Sequence, residues 1–197
     1  MKKLLYTACV FMLLFFSKAT VAQGYDNYIG DTATHVTGMG GPIFGFSSIH
    51  GNFAFFMGGA GGMVIHDVTI GVFGLGQTTQ VTDWTSPDRY ISMSCGGIWL
   101  GYAFWAKSRF HPSVDVLAGI GSVSTFYKNS YTGNNSDRNR VYFITPRIGV
   151  EFNASDYIRI SVGAEYRSIG FMKPNDYYSN ADFSSPGAFI TMKIGGF

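Results

Sequence analysis

The segment from Tyr157 to Phe171 sorts its side chains into two opposite sets. Ile158, Ile160, Val162, Ala164 and Tyr166 share one parity, and Arg159, Ser161, Gly163, Glu165 and Arg167 share the other. Successive side chains of a strand point to opposite faces, so this pattern describes an extended strand with one apolar and one charged face. The stretch before it repeats the arrangement, with Ile144, Pro146, Ile148, Val150 and Phe152 set against Thr145, Arg147, Gly149, Glu151 and Asn153. A soluble antiparallel sheet with one wet face is patterned in the same way. Length and number must separate the two.

Eight such segments can be counted, at approximately 40–49, 53–65, 69–80, 91–105, 113–126, 141–153, 157–171 and 186–197. Most are ten to fifteen residues long, against roughly 5–6 for an ordinary globular strand and about 9–11 for a tilted strand that spans a bilayer. They recur about every 20 residues, too widely for a compact sandwich, whose turns recur roughly every 8–12. The expected fold is all-β: an eight-stranded antiparallel up-and-down transmembrane β-barrel, even in strand number as bacterial outer-membrane barrels are.

Loop lengths give a separate test. With both ends of the barrel on the periplasmic side, connections one, three, five and seven face outward and the others are short. Val81–Tyr90, Tyr127–Arg140 and Met172–Ser185, the three longest and polar loops, all fall in outward positions; only His50–Asn52 is short there. A soluble sandwich has no reason to alternate long and short connections.

Residues 1–22 read as a cleaved signal peptide, with basic Lys2 and Lys3, an apolar run from Leu4 to Phe16, and the small residues Thr20-Val21-Ala22. The run is short of the roughly 20 residues that a spanning helix needs. Residues 23–38 are then an N-terminal periplasmic segment and 39–197 the barrel. Losing Lys2, Lys3 and Lys18 leaves 11 basic against 12 acidic residues, so no basic surface points to nucleic acid. Cys95 becomes the single cysteine, which excludes an intrachain disulfide. Overall, 17% aromatic and only 13% charged residues exclude an intrinsically disordered chain.

Parity places Asp115, Arg147, Glu151, Arg159, Glu165, Arg167 and Lys193 in the lumen. A three-residue turn, Ala154-Ser155-Asp156, would set Glu151 directly opposite Arg159 and leave Arg147 to reach Glu165 diagonally. Eight strands enclose an interior just wide enough for side chains to fill, so a paired polar plug is favoured over an ion or proton path along the arginines. Glycine clusters Gly58-Gly59 and Gly61-Gly62 suit the sharp coiling of a narrow barrel. They lack the strand-to-helix context of a nucleotide-binding loop. The strands around them are too apolar and Gly-rich on both faces for a firm assignment.

The stretch Gly40-Gly41-Pro42-Ile43-Phe44-Gly45-Phe46-Ser47-Ser48-Ile49, the segment Phe53 to Ile65, and the ending Ile194-Gly195-Gly196-Phe197 resemble small outer-membrane barrels of Bacteroidetes-type bacteria. The resemblance covers about Gly38 to Phe197 and implies no particular activity. It implies outer-membrane lipid as the surrounding solvent. It also implies that barrel-assembly machinery reads the terminal Phe197. The register departs from that pattern, because Gly195 and Lys193 precede Phe197 on its parity; either a bulge near Gly195-Gly196 resets it or the signal is weak.

Lipid-modifying barrel enzymes need a Ser or His nucleophile system near the outer leaflet. His66 and His111 fall at periplasmic turns, His35 precedes the barrel, and His50 has no Ser-and-acid partner at a telling spacing. No catalytic set, metal-ligand spacing or cofactor motif emerges. The expectation is a non-catalytic outer-membrane barrel, structural or recognising a partner through its outer loops, with a narrow passive channel as the alternative. The sequence names no loop ligand.

Overall fold

A computed structural model describes residues 36–127, 138–173 and 177–197. The signal segment, the residues up to 35, and the middles of two long loops lie outside the described residues. The strands are β1 (Val36–Ile49), β2 (Asn52–Ile65), β3 (Val68–Gln77), β4 (Val81–Thr82), β5 (Arg89–Ala103), β6 (Phe110–Tyr127), β7 (Arg138–Ser155), β8 (Ile158–Phe171) and β9 (Ser185–Gly195); a one-turn helix, α1 (Asn180–Phe183), precedes β9. Each pairs antiparallel with its neighbours, and β9 closes onto β1. Strand β4 continues the line of β3 after a break, and both pair with β5, so the wall has eight staves. Gln77 spans that break, its amide donating to the carbonyls of Thr79 and Ile91.

The stagger follows from one row of paired residues. From Val36 the row passes through Ile65, Val68, Tyr102, Val114, Ile148, Ala164 and Ala188, and returns to β1 at Phe46, ten residues above its start. Such a shear tilts the strands by about 40° and fixes a narrow bore. Close packing of the staves depends on glycine where two strands present none but hydrogen: Gly97 faces Gly119, and a Cβ on either would enter the partner strand's backbone.

Every residue in that row points outward. Val72, Ile98, Ile120, Ile144, Ile148 and Val162 are all more than half exposed on the outside, whereas the charged side chains on β6–β9 are buried inside, apart from two arginines at the top of β7. This is the inverse of a soluble protein and what a lipid-bathed barrel requires. Rings gather at both ends of the apolar band. Phe46 stacks on Phe55 towards the long-loop end, and Phe110 stacks on Phe152 towards the end holding the chain termini.

Strand register differs from expectation at two places. The β7–β8 turn is two residues, Asp156-Tyr157, with a register irregularity between Asn153 and Ser155. Glu151 therefore faces Ser161, and Arg159 faces Asn153; the expected Glu151–Arg159 pairing is displaced by two residues. At the other end of the chain the β8–β9 and β9–β1 registers run without a shift. No bulge near Gly195 resets the parity, and Phe197 lies across the lumen mouth.

Candidate functional site: the lumen and its two ends

All seven residues that parity directed inward are buried in the lumen. They come from β6–β9 and form two linked clusters. In the first, Arg147 Nε donates to Glu165 Oε2 at 2.8 Å, and Arg167 reaches Glu165 Oε1 at 3.4 Å. Arg147 and Glu165 are directly opposed, not diagonal. Both arginines also lie over rings, Arg147 over Phe189 and Arg167 over Phe56. In the second cluster Glu151 is held by Lys193 Nζ and by His111 Nε2, the latter at 3.2 Å. Lys193 also lies 5.0 Å above the Trp99 ring, whose N–H donates to Asp115 at 2.8 Å.

His111 was expected in a periplasmic turn. It stands inside β6 and is almost wholly buried. Its Nδ1 faces the Ser108 carbonyl at 3.1 Å, so both ring nitrogens meet acceptors. An unpaired charge in this interior would cost several kcal/mol. The pairing accounts for six of the seven expected residues, counting Asp115 through Trp99. Arg159 has no direct ion pair among the described residues; its guanidinium lies 4.1 Å from the Phe197 ring centre. Beside it opens a cavity of about 770 Å3 at the terminal end, lined by His66, Asp67, Lys107, Arg109 and Asp156 among others.

Towards the long-loop end the filling changes from ionic to apolar. Ile49, Phe56, Ile91, Met93, Val141, Phe143 and Ile169 form one buried cluster that continues into Val81 of β4, Tyr178, and Phe183 of α1. Trp84 is the centre of a lid. It stacks on His50 at 4.2 Å and meets Tyr178 edge-on at 5.4 Å and Phe183 at 5.8 Å. Asp83, almost wholly buried, accepts from the Tyr178 hydroxyl at 2.8 Å and from the Thr85 backbone and hydroxyl. Burial pushes the Tyr178 hydroxyl up to about 12, with the Asp83 hydrogen bond adding to the rise.

The lid is anchored from both sides. Ser179 caps α1 in a reciprocal capping box with Asp182. Asp182 also binds His50, through its carbonyl to the His50 backbone at 2.6 Å and its carboxylate to Nδ1 at 2.9 Å. His50 and Gly51 both adopt positive φ, the two-residue hairpin geometry that favours Gly, Asn and Asp. The contacts with Trp84 and Asp182 hold the histidine there. The acid partner that His50 lacks locally is thus supplied from 132 residues away. Trp84, Tyr178, Phe183 and Asp83 carried no sequence signal, because each gains its meaning only when distant loops meet.

A closed barrel, apolar outside and ionic inside, defines an integral membrane barrel of the outer-membrane type. No protein-family model matches the sequence, and no curated protein matches it. Among solved structures, the chain is similar to Neisserial surface protein A, with a TM-score of 0.57 at 13% identity over 82% of this chain and 96% of that one. The attachment invasion locus protein Ail of Yersinia pestis aligns over 82% of this chain and 97% of its own, at 12% identity and a TM-score of 0.46.

Proposed function

We propose that the protein is a non-conducting, non-catalytic barrel of the Gram-negative outer membrane that presents its long-loop end to the exterior as a recognition surface. The observation that carries this reading is the paired ionic filling of the lumen, with Trp84, Tyr178 and Phe183 packed together as a lid above it. A passive channel would need a continuous wet path through both. The lid also supplies rigid aromatic rings at a surface, the kind of contact area that binding loops use at low entropic cost. Exposed Tyr177 stands beside it. Affiliation with Bacteroidetes-type barrels, and reading of Phe197 by the insertion machinery, belong to the same proposal and rest on the sequence resemblance.

Planar-bilayer recording tests it. The refolded protein is expected to be silent, and Trp84→Ala with Phe183→Ala is expected to remain silent because the ionic filling persists. Steady unitary conductance of the unaltered protein would replace this reading with the channel.

A further inference from the structure

The apolar exterior has one exception. Among the described residues, Arg138 and Arg140 are the only charged side chains at outward positions of the strands, and both are exposed. They stand in register with hydroxyls on the two neighbouring strands. One row runs Ser94, Ser122, Arg140, and the next row up runs Ser92, Ser124, Arg138. The Ser94 and Ser122 hydroxyls lie 3.3 Å apart. Small side chains on two strands beside long ones on the third leave a groove of about 480 Å3, whose lining includes Ser94, Ser122, Ile120, Arg138, Arg140 and Met172. No carboxylate among the described residues pairs with either arginine.

The height of this shelf identifies its surroundings. On β7, Phe152 belongs to the aromatic ring at the terminal end, and Tyr142 lies ten residues above it on the same face. At about 3.3 Å per residue and a tilt of about 40°, they are separated by roughly 25 Å, the height of a barrel's apolar band. Arg140 and Arg138 come two and four residues beyond Tyr142, at the level of lipid headgroups. Guanidinium forks and hydroxyls are donors suited to phosphate oxygens, and the groove sits where such a group is tethered by its acyl chains beside Ile120 and Ile98.

We propose that this shelf binds the phosphate of a phosphorylated lipid headgroup in the outer leaflet. The inference rests on the outward orientation of the long loops given above. The test titrates the protein, in a maltoside detergent, with lipid A bearing both phosphates, and compares Arg138→Gln/Arg140→Gln with Arg138→Lys/Arg140→Lys. The Gln pair is expected to lose affinity roughly tenfold or more, and the Lys pair to lose less. Dephosphorylated lipid A should bind the unaltered protein no better than the Gln variant. Equal binding by the Gln variant overturns the proposal, as does equal binding of dephosphorylated lipid A. Displacement of lipid A by an equal concentration of inorganic phosphate overturns the lipid as the ligand. Labelling of Ala181→Cys on intact cells with an impermeant maleimide separates the two readings. Absence of labelling overturns the orientation, whereas normal labelling with failed lipid binding overturns the shelf alone.

Discussion

Strands β6–β9 and strands β1–β5 line the same lumen, yet among the described residues every lumen ion pair is made within the first set. The second set contributes Ile43, Phe56, Phe73, Leu75, Met93 and Trp99, with glycines between them. One half of the wall supplies paired charge beside apolar residues such as Leu117, Phe143 and Phe189, the other apolar volume without a lumen ion pair among the described residues. Trp99 joins them, with its indole N–H on Asp115 and its ring under Lys193. The two fillings fail in different ways. Removing one partner of a buried pair strands the other in a dry interior, whereas trimming an apolar side chain leaves a void whose cost scales with its size.

The largest effect should follow from Glu151→Gln, which strips Lys193 and His111 of their shared carboxylate. A loss of about 3–5 kcal/mol is expected in urea unfolding from lipid vesicles. Adding Lys193→Met should recover part of it, and strictly additive losses would show that the two do not act as a pair. Next come two outward substitutions, one on each half. Val72→Arg and Val162→Arg should each cost about 2–4 kcal/mol, because lipid bathes both halves alike. A cost on one half only would mean that the other is covered by something besides lipid. Smaller still is Ile43→Val, a wholly buried site in the apolar half, with an expected loss of about 0.5–1.5 kcal/mol in the same assay.

The mildest test concerns the lid. The Tyr178 hydroxyl titrates higher in the fold, at about 12, than its ordinary 10.0. The neutral form is thus the one the fold favours. Its contribution is complete below pH 10 and disappears as pH rises towards 12. Near-ultraviolet dichroism of the Trp84–Tyr178 pair should fade in that window. Tyr178→Phe should remove the step, and an unchanged step would assign it to another group.

The same division explains what could be read from sequence. On β8 and β7 alternating charge and apolar side chains declared both faces, and all seven lumen residues follow that parity. On β1–β3 the residues facing in and out are alike in polarity, so alternation is silent there. Partners were harder than faces. The irregularity between Asn153 and Ser155 moved Arg159 away from Glu151, and a tilted strand brought Lys193 from β9 to Glu151 across β8. His111 lies just before the segment 113–126 that alternation marks, next to Pro112, which has no N–H to give a ladder. Pro112 nevertheless holds an outward position within β6, opposite Val150. The lid was illegible because His50 and Asp182 lie at opposite ends of the barrel sequence.

The junction of β9 with β1 has a consequence for assembly. Its ladder is interrupted beside Gly41 and Pro42, where proline offers no N–H and Gly41 passes close against the Met192 carbonyl. Every other stave can zip to a neighbour across a connection of 13 residues or fewer, but this contact joins residues about 150 apart. Its loop-closure entropy falls due all at once, and contacts of high sequence separation form late. Until then both edges of an eight-strand ribbon expose open N–H and C=O groups, which in lipid have no water to satisfy them. The first and last strands therefore have to meet before the ribbon is left in the hydrocarbon, so insertion and closure become one kinetic event.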